Sequence, residues 1–593
     1  MATRLPLHHP RHLVLSSGFV PRRIDLTRLV AGRRQERSHT SYATRRTYKA
    51  IRAPPWAKHT PTSPLSSIST TTRAVSTSQT SSKPLDTTLT LSSTSEPPTI
   101  RHPTTPTHPL SVLPLPTLLR TLLRTTISSS PLLLTLTSRV LSRALANTTT
   151  TPSSSYLRLL STLNPLSLNN PLTHLLLKRT FYAQFCAGES SPEVASFITR
   201  MQRTGYTGIA LEYASEVLSD GPPASAAEEL AGIERWERGI LESIEMSQPG
   251  SFVAFKYSGM GSSALARLKG NAEPTQRMQA AIDRVCEAAV ARGVRVSPAA
   301  EPQNAQAAVN AWTLELARRF NRASDGKEGK EGGKAMMYNT YQAYLKSTPR
   351  TLAADLITAE REGFTLGVKL VRGAYLATEE RGLIHDTKQD TDEAYDGIAA
   401  ALIRGRWERA LGSARAELLA QRDSKSDQDV GGSDNMARVD LLLAGHNQIS
   451  VTKALALRRE RLAQTASPPS SDATSAPLGD VAFAQLQGMA DEVSCMLLAE
   501  QRRGDELQRD LSTIPASPSA SPHNNASTTN PTAQPQPEPH VFKYCNWGTL
   551  PETLAYLLRR ADENRDAVMR TEGTRRAMAG EVMRRTRGVF GLW

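Results

Sequence analysis

Two adjacent arginines and a glutamate near the C-terminus, Arg559, Arg560 and Glu563, have the types and spacing of a carboxylate clamp. Neighbouring side chains on a helix project about 100° apart, so two guanidiniums can hold one carboxylate from two sides. Glu563 can pair with either arginine, since it follows them by four and three positions. The helix is predicted to begin near Pro551. Spacing alone favours an exposed helix face with an ordinary ion pair, so the elements that would position these residues must decide.

Short apolar runs alternate with helical stretches through the C-terminal two thirds of the chain. This alternation predicts an α/β fold, a parallel (βα)8 TIM-like barrel, with an open doubly wound sheet as the alternative. In a barrel, the active site lies at the C-terminal ends of the strands. The eight predicted strands are Thr207–Tyr213, Phe252–Tyr257, Val294–Val296, Ala335–Tyr338, Thr365–Val371, Val439–Ala444, Val481–Leu486 and Val541–Tyr544.

Cations, amides and aromatic rings recur where these strands end, and acids are few. This set of side chains favours an anionic ligand, either a phosphate-bearing cofactor or a carboxylate substrate. It does not fit a hydrolase that works with two carboxylates. The polar strand-end residues include Lys256, Gln342, Lys369, Arg372, His446, Asn447 and Tyr544.

A dinucleotide-binding fingerprint of the type GxGxxA occupies residues Gly259–Ala264, directly after a predicted strand. The helical stretch that follows it is interrupted by Gly270 and Pro274, and no acid ends the next strand at the required distance. A barrel is therefore favoured over a Rossmann domain. An NAD-dependent oxidoreductase stays open as an alternative.

No metal site is predicted. His385, Asp390 and Asp392 lie close together in sequence, but acids just before a helix are typical of N-capping. The cysteines have neither zinc nor redox spacing. They are Cys186, Cys286, Cys495 and Cys545.

Charge divides the 593 residues unevenly. The chain has a net charge of +15, yet residues 1–180 hold 23 Lys and Arg against 4 acids, and the remainder holds 48 against 52. A nucleic-acid-binding body is therefore not expected. Residues 1–50 are Arg-, Ser- and Thr-rich and predict a mitochondrial transit peptide, with a basic disordered tail as the alternative. Residues 51–109, rich in Ser, Thr and Pro, are predicted to be disordered.

Residues 110–174 predict a basic helical arm. Arg120 and Arg124, and likewise Arg139 and Arg143, lie four apart among leucines, as in amphipathic helices. Packing on the body is favoured slightly over contact with a membrane surface. Residues 175–593 then form the predicted barrel, interrupted by polar loop insertions.

Four motifs in order resemble the proline dehydrogenase family, in its mitochondrial, fungal-type form. The resemblance extends over about residues 175–568. The motifs are Lys369-Leu-Val-Arg-Gly-Ala-Tyr375, Ile384-His-Asp-Thr387, Ala444-Gly-His-Asn447 and Tyr556-Leu-Leu-Arg-Arg-Ala-Asp-Glu-Asn564.

The resemblance implies non-covalent FAD on the barrel and oxidation of L-proline to Δ1-pyrroline-5-carboxylate. It also implies electron transfer to ubiquinone at the matrix side of the inner mitochondrial membrane. Arg559 and Arg560 would bind the proline carboxylate with Lys256, and Glu563 would orient the arginines. Leu486 and Tyr544 would line the ring pocket, and Tyr544 would favour proline over hydroxyproline. The residues implied to contact FAD are Gln342, Lys369, Arg372, His385, Thr387, Lys388, His446 and Asn447.

One position departs from the family pattern. The end of the third strand reads Ala299-Ala300-Glu301, where the family usually has Asp-Ala-Glu. The change is expected to leave Lys256 without its usual partner, unless Glu301 compensates. An alternative function follows: a catalytically impaired relative with a binding or regulatory role. Activity that appears only after Ala299→Asp would identify it.

Overall fold

A computed structural model describes residues 109–129, 139, 143, 167–213, 225–322, 333–376, 378–421, 436–465, 479–513, 539–553, 556, 558 and 568–589. All of them belong to the unit Ile100–Trp593. The predicted transit peptide and nearly all of the Ser/Thr/Pro-rich segment lie outside the described residues. The same is true of most of the arm after residue 129 and of the greater part of each polar insertion.

The described strands are β1 Gly208–Tyr213, β2 Phe252–Phe255, β3 Arg295–Pro298, β4 Tyr338–Gln342, β5 Leu366–Val371, β6 Val439–Ala444, β7 Val481–Leu486 and β8 His540–Trp547. The helices are α1 Leu115–Ser129, α2 Pro171–Leu177, α3 Ser191–Thr204, α4 Ala226–Met246, α5 Ser262–Lys269, α6 Gln276–Arg292, α7 Gln303–Phe320, α8 Thr348–Glu362, α9 Lys388–Arg404, α10 Arg409–Ala420, α11 Gln448–Thr465, α12 Asp491–Thr513 and α13 Val568–Val589. A π-helical segment, Lys178–Tyr182, and a last turn, Ala183–Phe185, continue α2.

Within the described residues, eight parallel strands form one sheet in the order β3-β2-β1-β8-β7-β6-β5-β4. Pairing of β1 with β8 joins the first strand to the last, and a parallel bridge between Val296 and Met337 links the two outer strands. The sheet therefore closes as a barrel, which confirms the predicted (βα)8 fold and rejects the open doubly wound alternative.

Most predicted elements are confirmed with small shifts at their ends, and two differ. Strand β4 was predicted at Ala335–Tyr338 but begins where that prediction ends, because apolar patterning does not mark Asn339, Thr340 and Gln342, which are polar yet buried. Between β5 and β6 the sequence pattern predicts one helix over Thr391–Leu419, but the structure has two, since Gly405 adopts a left-handed conformation (φ 64°) that ends α9.

The amino-terminal end of the barrel is filled by a charged layer. The guanidinium of Arg295 lies over the ring of Phe252, 4.0 Å from its centroid, and Nη1 donates to Asp480 Oδ2 at 2.7 Å. Asp480 Oδ1 lies 2.9 Å from His540 Nδ1. Burial alone would raise the pKa of Asp480, but His540 and Arg295 outweigh burial and lower it to about 2. This end of a barrel serves stability rather than chemistry.

Asp480→Asn is expected to destabilise the protein by about 2–3 kcal/mol at neutral pH, because the lowered pKa measures how strongly the folded state favours the carboxylate. That stability is present above the unfolded pKa of about 4 and is lost as pH falls through about 2. Urea unfolding at several pH values measures it. Asp386→Asn, at a carboxylate that is 77% exposed, is the control. An equal effect of both substitutions would contradict the assignment.

The first part of the arm packs on the body, as predicted. Leu118 of α1 is fully buried in a cluster with Leu110, Cys495 of α12 and Met578 of α13. Nη2 of Arg585 on α13 donates to the carbonyl oxygens of residues 110, 111 and 113 at 2.9–3.2 Å. Among the described helices, none is both long and apolar enough to cross a membrane.

Candidate functional site at the barrel mouth

Lys369 occupies the centre of the barrel mouth. It lies near the C-terminal end of β5, is 5% exposed, and its Nζ stands 4.7 Å from the ring centroid of Tyr544 on β8. Burial lowers the pKa of Lys369 to about 8, while Glu212 raises it and the charge of Lys256 lowers it further. The side chain still carries a positive charge at neutral pH, in a site shielded from water.

Lys256 follows β2 and points toward the same region. Its Nζ donates to the hydroxyl of Tyr375 at 2.7 Å, and that hydroxyl donates to the carbonyl oxygen of Ala300 at 2.9 Å. Lys256 thus has Tyr375 as a partner, although the aspartate that the family usually has at position 299 is absent. Glu301, 2% exposed, accepts a hydrogen bond from the backbone of Ser258.

A second group of predicted residues meets on the rim, beside the starts of α9 and α11. Nε of Arg372 donates to Asp392 Oδ1 at 2.9 Å, and Lys388 forms an ion pair with Asp392 Oδ2. Nδ2 of Asn447 lies 3.5 Å from Asp392 Oδ1. The predicted N-capping role of Asp392 is wrong: its carboxylate joins two cations instead.

The start of α9 explains the neighbouring acid. Thr387 is the N-cap residue, and its side chain and that of Asp390 form a reciprocal capping box. The capping prediction is confirmed for Asp390. The described residues contain no group of three or more His, Cys, Asp or Glu side chains that could hold a metal ion.

Three predicted residues hold the strand ends in place. Gln342 Oε1 accepts from the backbone of Ala374 at 3.0 Å, and His446 Nε2 accepts from the backbone of Leu486 at 3.2 Å. Leu486 is paired in register with Tyr544. These contacts place β4 to β8 around one mouth.

Two buried polar atoms fit a bound cofactor. Nη1 of Arg372 and Nε2 of His385 are buried and have no hydrogen-bond partner among the described residues. A buried polar atom without a partner is costly and needs an explanation, and a bound group is one such explanation. A cofactor with an anionic diphosphate and several acceptor atoms, such as FAD, matches such donors.

The predicted carboxylate clamp lies outside the described residues. The structure gives no position for Arg559, Arg560 or Glu563, although Tyr556 and Leu558 are described. The preceding helix begins at Leu550, one residue before the predicted start, and Glu552 accepts from the backbone of Thr549 at 2.8 Å.

Sequence reasoning missed Glu212 and gave Tyr375 no role. Glu212 occupies the same face of β1 as Ala210, which lies in the barrel interior. Its signal was a charged residue at an inward position of an apolar strand. Tyr375 gave no comparable signal, because its contact with Lys256 spans 119 residues.

The fingerprint at Gly259–Ala264 does not open a Rossmann domain. It follows β2 of the barrel as a 3-10 turn, Tyr257–Met260, and leads into the short helix α5. The motif is thus a tight connection, and Gly261 adopts a φ of 122° that favours glycine.

Comparison with known proteins agrees with the site. The family model described as proline dehydrogenase matches residues 195–572. A probable mitochondrial proline dehydrogenase of Schizosaccharomyces pombe is 29% identical over 303 residues, 51% of this chain and 49% of that protein. Bovine hydroxyproline dehydrogenase is 27% identical over 468 residues, 71% of this chain and 84% of that protein. The chain thus spans about half the length of the fungal relative and most of the bovine one.

Among solved structures, proline utilization A from Bdellovibrio bacteriovorus aligns with a TM-score of 0.46 and 15% identity, over 74% of this chain and 37% of that one.

The structure is a (βα)8 barrel with the cations Lys256, Lys369 and Arg372 at the C-terminal ends of its strands. Since the family model covers more than half of the sequence, the chain belongs to the proline dehydrogenase family.

Proposed function

We propose that this chain is a flavin-dependent dehydrogenase that oxidises L-proline to Δ1-pyrroline-5-carboxylate. The observation that carries the proposal is the buried cation Lys369 against Tyr544 at the mouth of a barrel of this family. An anionic substrate and a cofactor that becomes negative on reduction both need such a charge. The relatives named proline dehydrogenase and hydroxyproline dehydrogenase support the substrate class.

FAD is the proposed cofactor. Its flavin ring would accept the hydride that leaves the carbon beside the proline nitrogen. Arg372 and His385 would supply hydrogen bonds through their unpartnered buried nitrogens. Lys388 and Asn447 would bind beside Arg372, and Gln342, Thr387 and His446 would line the remainder. Lys369 would provide positive charge at the reacting end.

The substrate would be held by its carboxylate. Arg559 and Arg560 would grip it from the C-terminal helix, oriented by Glu563, and Lys256 would add a third cation. The hydrogen bond from Lys256 to Tyr375 holds that ammonium at the mouth. Leu486 and Tyr544 would pack against the ring and exclude water.

Tyr544 would decide between two substrates. Its ring would meet the far edge of the pyrrolidine, where a 4-hydroxyl group would need space and a partner. Proline is therefore proposed as the preferred substrate, although a hydroxyproline dehydrogenase matches more of its own length than the fungal proline dehydrogenase does.

The proposed location is the mitochondrion, on the matrix side of the inner membrane, with ubiquinone as electron acceptor. The Arg-rich residues 1–50 as a transit peptide and the relatives named mitochondrial support it.

The purified protein is expected to be yellow, and L-proline is expected to bleach its flavin absorption and to reduce an artificial dye. Visible spectra before and after the addition of L-proline or trans-4-hydroxy-L-proline measure both points. A folded, colourless protein would refute the cofactor, and faster bleaching by hydroxyproline would refute the substrate. Activity that depends on NAD would instead support the alternative function, an NAD-dependent oxidoreductase that uses the loop Gly259–Ala264. A wild-type protein that works only after Ala299→Asp would restore the impaired relative.

A further inference from the structure

Asp392 is the acidic centre of the rim. Its Oδ1 accepts from Nε of Arg372 on the loop after β5, and its Oδ2 pairs with Lys388 one helical turn earlier on α9. We propose that Asp392 is a positioning residue for the cofactor: it orients Arg372 so that the guanidinium presents its remaining nitrogen to the diphosphate of FAD. This inference rests on the proposed flavin function.

Three contacts fix the guanidinium of Arg372. Besides the bond to Asp392, Nη2 donates to Ser450 Oγ at 2.7 Å, and the group lies 4.2 Å from the ring centroid of Tyr395. A guanidinium is planar, so holding Nε, Nη2 and the plane fixes the direction of Nη1 as well. Within the part of the chain that the structure describes, Nη1 is buried and has no hydrogen-bond partner. The arrangement leaves one oriented donor for a ligand.

Gly445 lies against that donor. A Cβ added at Gly445 would lie 3.3 Å from Nη1 of Arg372 and 3.4 Å from the hydroxyl of Tyr395. This distance is tighter than ordinary contact, so a side chain at position 445 would push against the guanidinium. Glycine at position 445, directly after β6, therefore allows the guanidinium of Arg372 to lie close to the backbone.

Charge identifies the kind of ligand. Burial raises the pKa of Asp392, but the hydrogen bonds and charges of Lys388 and Arg372 outweigh burial and lower it. The carboxylate is thus ionised, and two cations around one anion leave a net positive charge. The diphosphate is the anionic part of FAD, so it is the part that this group matches.

A local ion pair does not explain the arrangement. The contact of Lys388 with Asp392 is an ordinary i,i+4 helix pair whose lysine is 65% exposed. Such pairs contribute about 0.3–0.5 kcal/mol. The bond from Arg372 is different, because it links a strand end to a helix 20 residues further along the chain and is partly buried.

The test measures FAD binding rather than turnover. FAD is removed from wild type and Asp392→Asn, and its dissociation constant is determined by fluorescence titration. Loss of a hydrogen bond to a charged group predicts binding weaker by about 10- to 100-fold. Asp396→Asn is the matched control, since Asp396 lies on the same helix and pairs with Lys453 at 2.7 Å.

A double-mutant cycle separates positioning from folding. Arg372→Lys keeps the charge but removes the planar group, so Asp392→Asn is expected to add little weakening on that background. Equal effects of Asp392→Asn on both backgrounds, or wild-type affinity in Asp392→Asn, would overturn the proposal. A fall in FAD affinity that is fully explained by lost folding stability, seen as a lower melting temperature of the variant, would also overturn it. If Asp392→Asn does not fold, Ser450→Ala, which removes the acceptor of Nη2, replaces it. Tight FAD binding without proline oxidation would refute only the proposed function.

Discussion

Replacing Lys369 with methionine is expected to stabilise the cofactor-free protein. The same substitution is expected to remove most of the activity of the protein with its cofactor bound. Burial holds the pKa of Lys369 near 8, against 10.5 for a free lysine. The folded state therefore carries a charge that it disfavours at neutral pH, by about 3 kcal/mol for a shift of this size. Methionine fills similar space without the charge.

The sign of the pH dependence follows from the lowered pKa. Below pH 8, Lys369 is charged in both states and its full cost is present; between pH 8 and 10.5 the folded state alone loses its proton, and the cost disappears. The gain in Lys369→Met is thus expected at pH 7 and lost near pH 10.5. Thermal unfolding across this range measures it, with Lys346→Met, at a side chain 46% exposed, as control.

Activity is expected to move in the opposite direction. Without the ammonium beside Tyr544, negative charge that develops at the mouth has lost its nearest cation, and kcat is expected to fall by about 10²- to 10³-fold. Dye reduction with saturating L-proline measures this fall. A variant that is both active and more stable would show that the charge at position 369 has no catalytic purpose.

The second substitution with a large expected effect on stability concerns the buried ion pair between β8 and α12. Lys543 and Asp491 are 1% and 3% exposed, and Nζ of Lys543 lies 2.8 Å from Asp491 Oδ1. Thr121 of α1 donates to the other carboxylate oxygen at 3.1 Å. Lys543→Met removes the cation that is hydrogen-bonded to Asp491 and leaves a buried carboxylate, so we expect a loss of about 3–5 kcal/mol.

A paired substitution makes this expectation sharp. Lys543→Met combined with Asp491→Leu removes both charges and is expected to recover much of the lost stability. Urea unfolding of the single and double variants measures the difference. Lys453→Met, in an ion pair whose lysine is 60% exposed, is the control and is expected to change little. A double variant as unstable as the single one would contradict the account.

The sequence predicted best where strands are mostly apolar. The observed bounds of β6 and β7 are those predicted, because each is a short run with a single polar residue between polar segments. β4 was displaced because Asn339, Thr340 and Gln342 are polar yet buried. Thr340, for example, donates to the carbonyl oxygen of Pro298 at 2.6 Å. A search for apolar patterns cannot find a strand whose buried polar side chains form hydrogen bonds with neighbouring segments of the chain.

The site shows the same division. Lys369, Arg372 and Asn447 stand at strand ends, so fold class alone placed them on one edge. Tyr375 as the partner of Lys256 and Asp392 as the partner of Arg372 depend on side-chain directions across loops, which a sequence pattern does not carry. Glu212 lay between these cases, since its inward position followed from the alternation along β1.

The hydrogen bonds from Arg585 to residues 110, 111 and 113 have a consequence for the order of folding. They join groups 472–475 residues apart in the chain. On a ribosome, or during import of an unfolded chain, the first helix emerges long before the last one exists. The buried face of α1 can pack only after α13 has formed, so the docking of α1 on α13 is expected to be a late event in folding. A protein lacking α13 would then expose the leucines of α1 and be a target for proteases or chaperones.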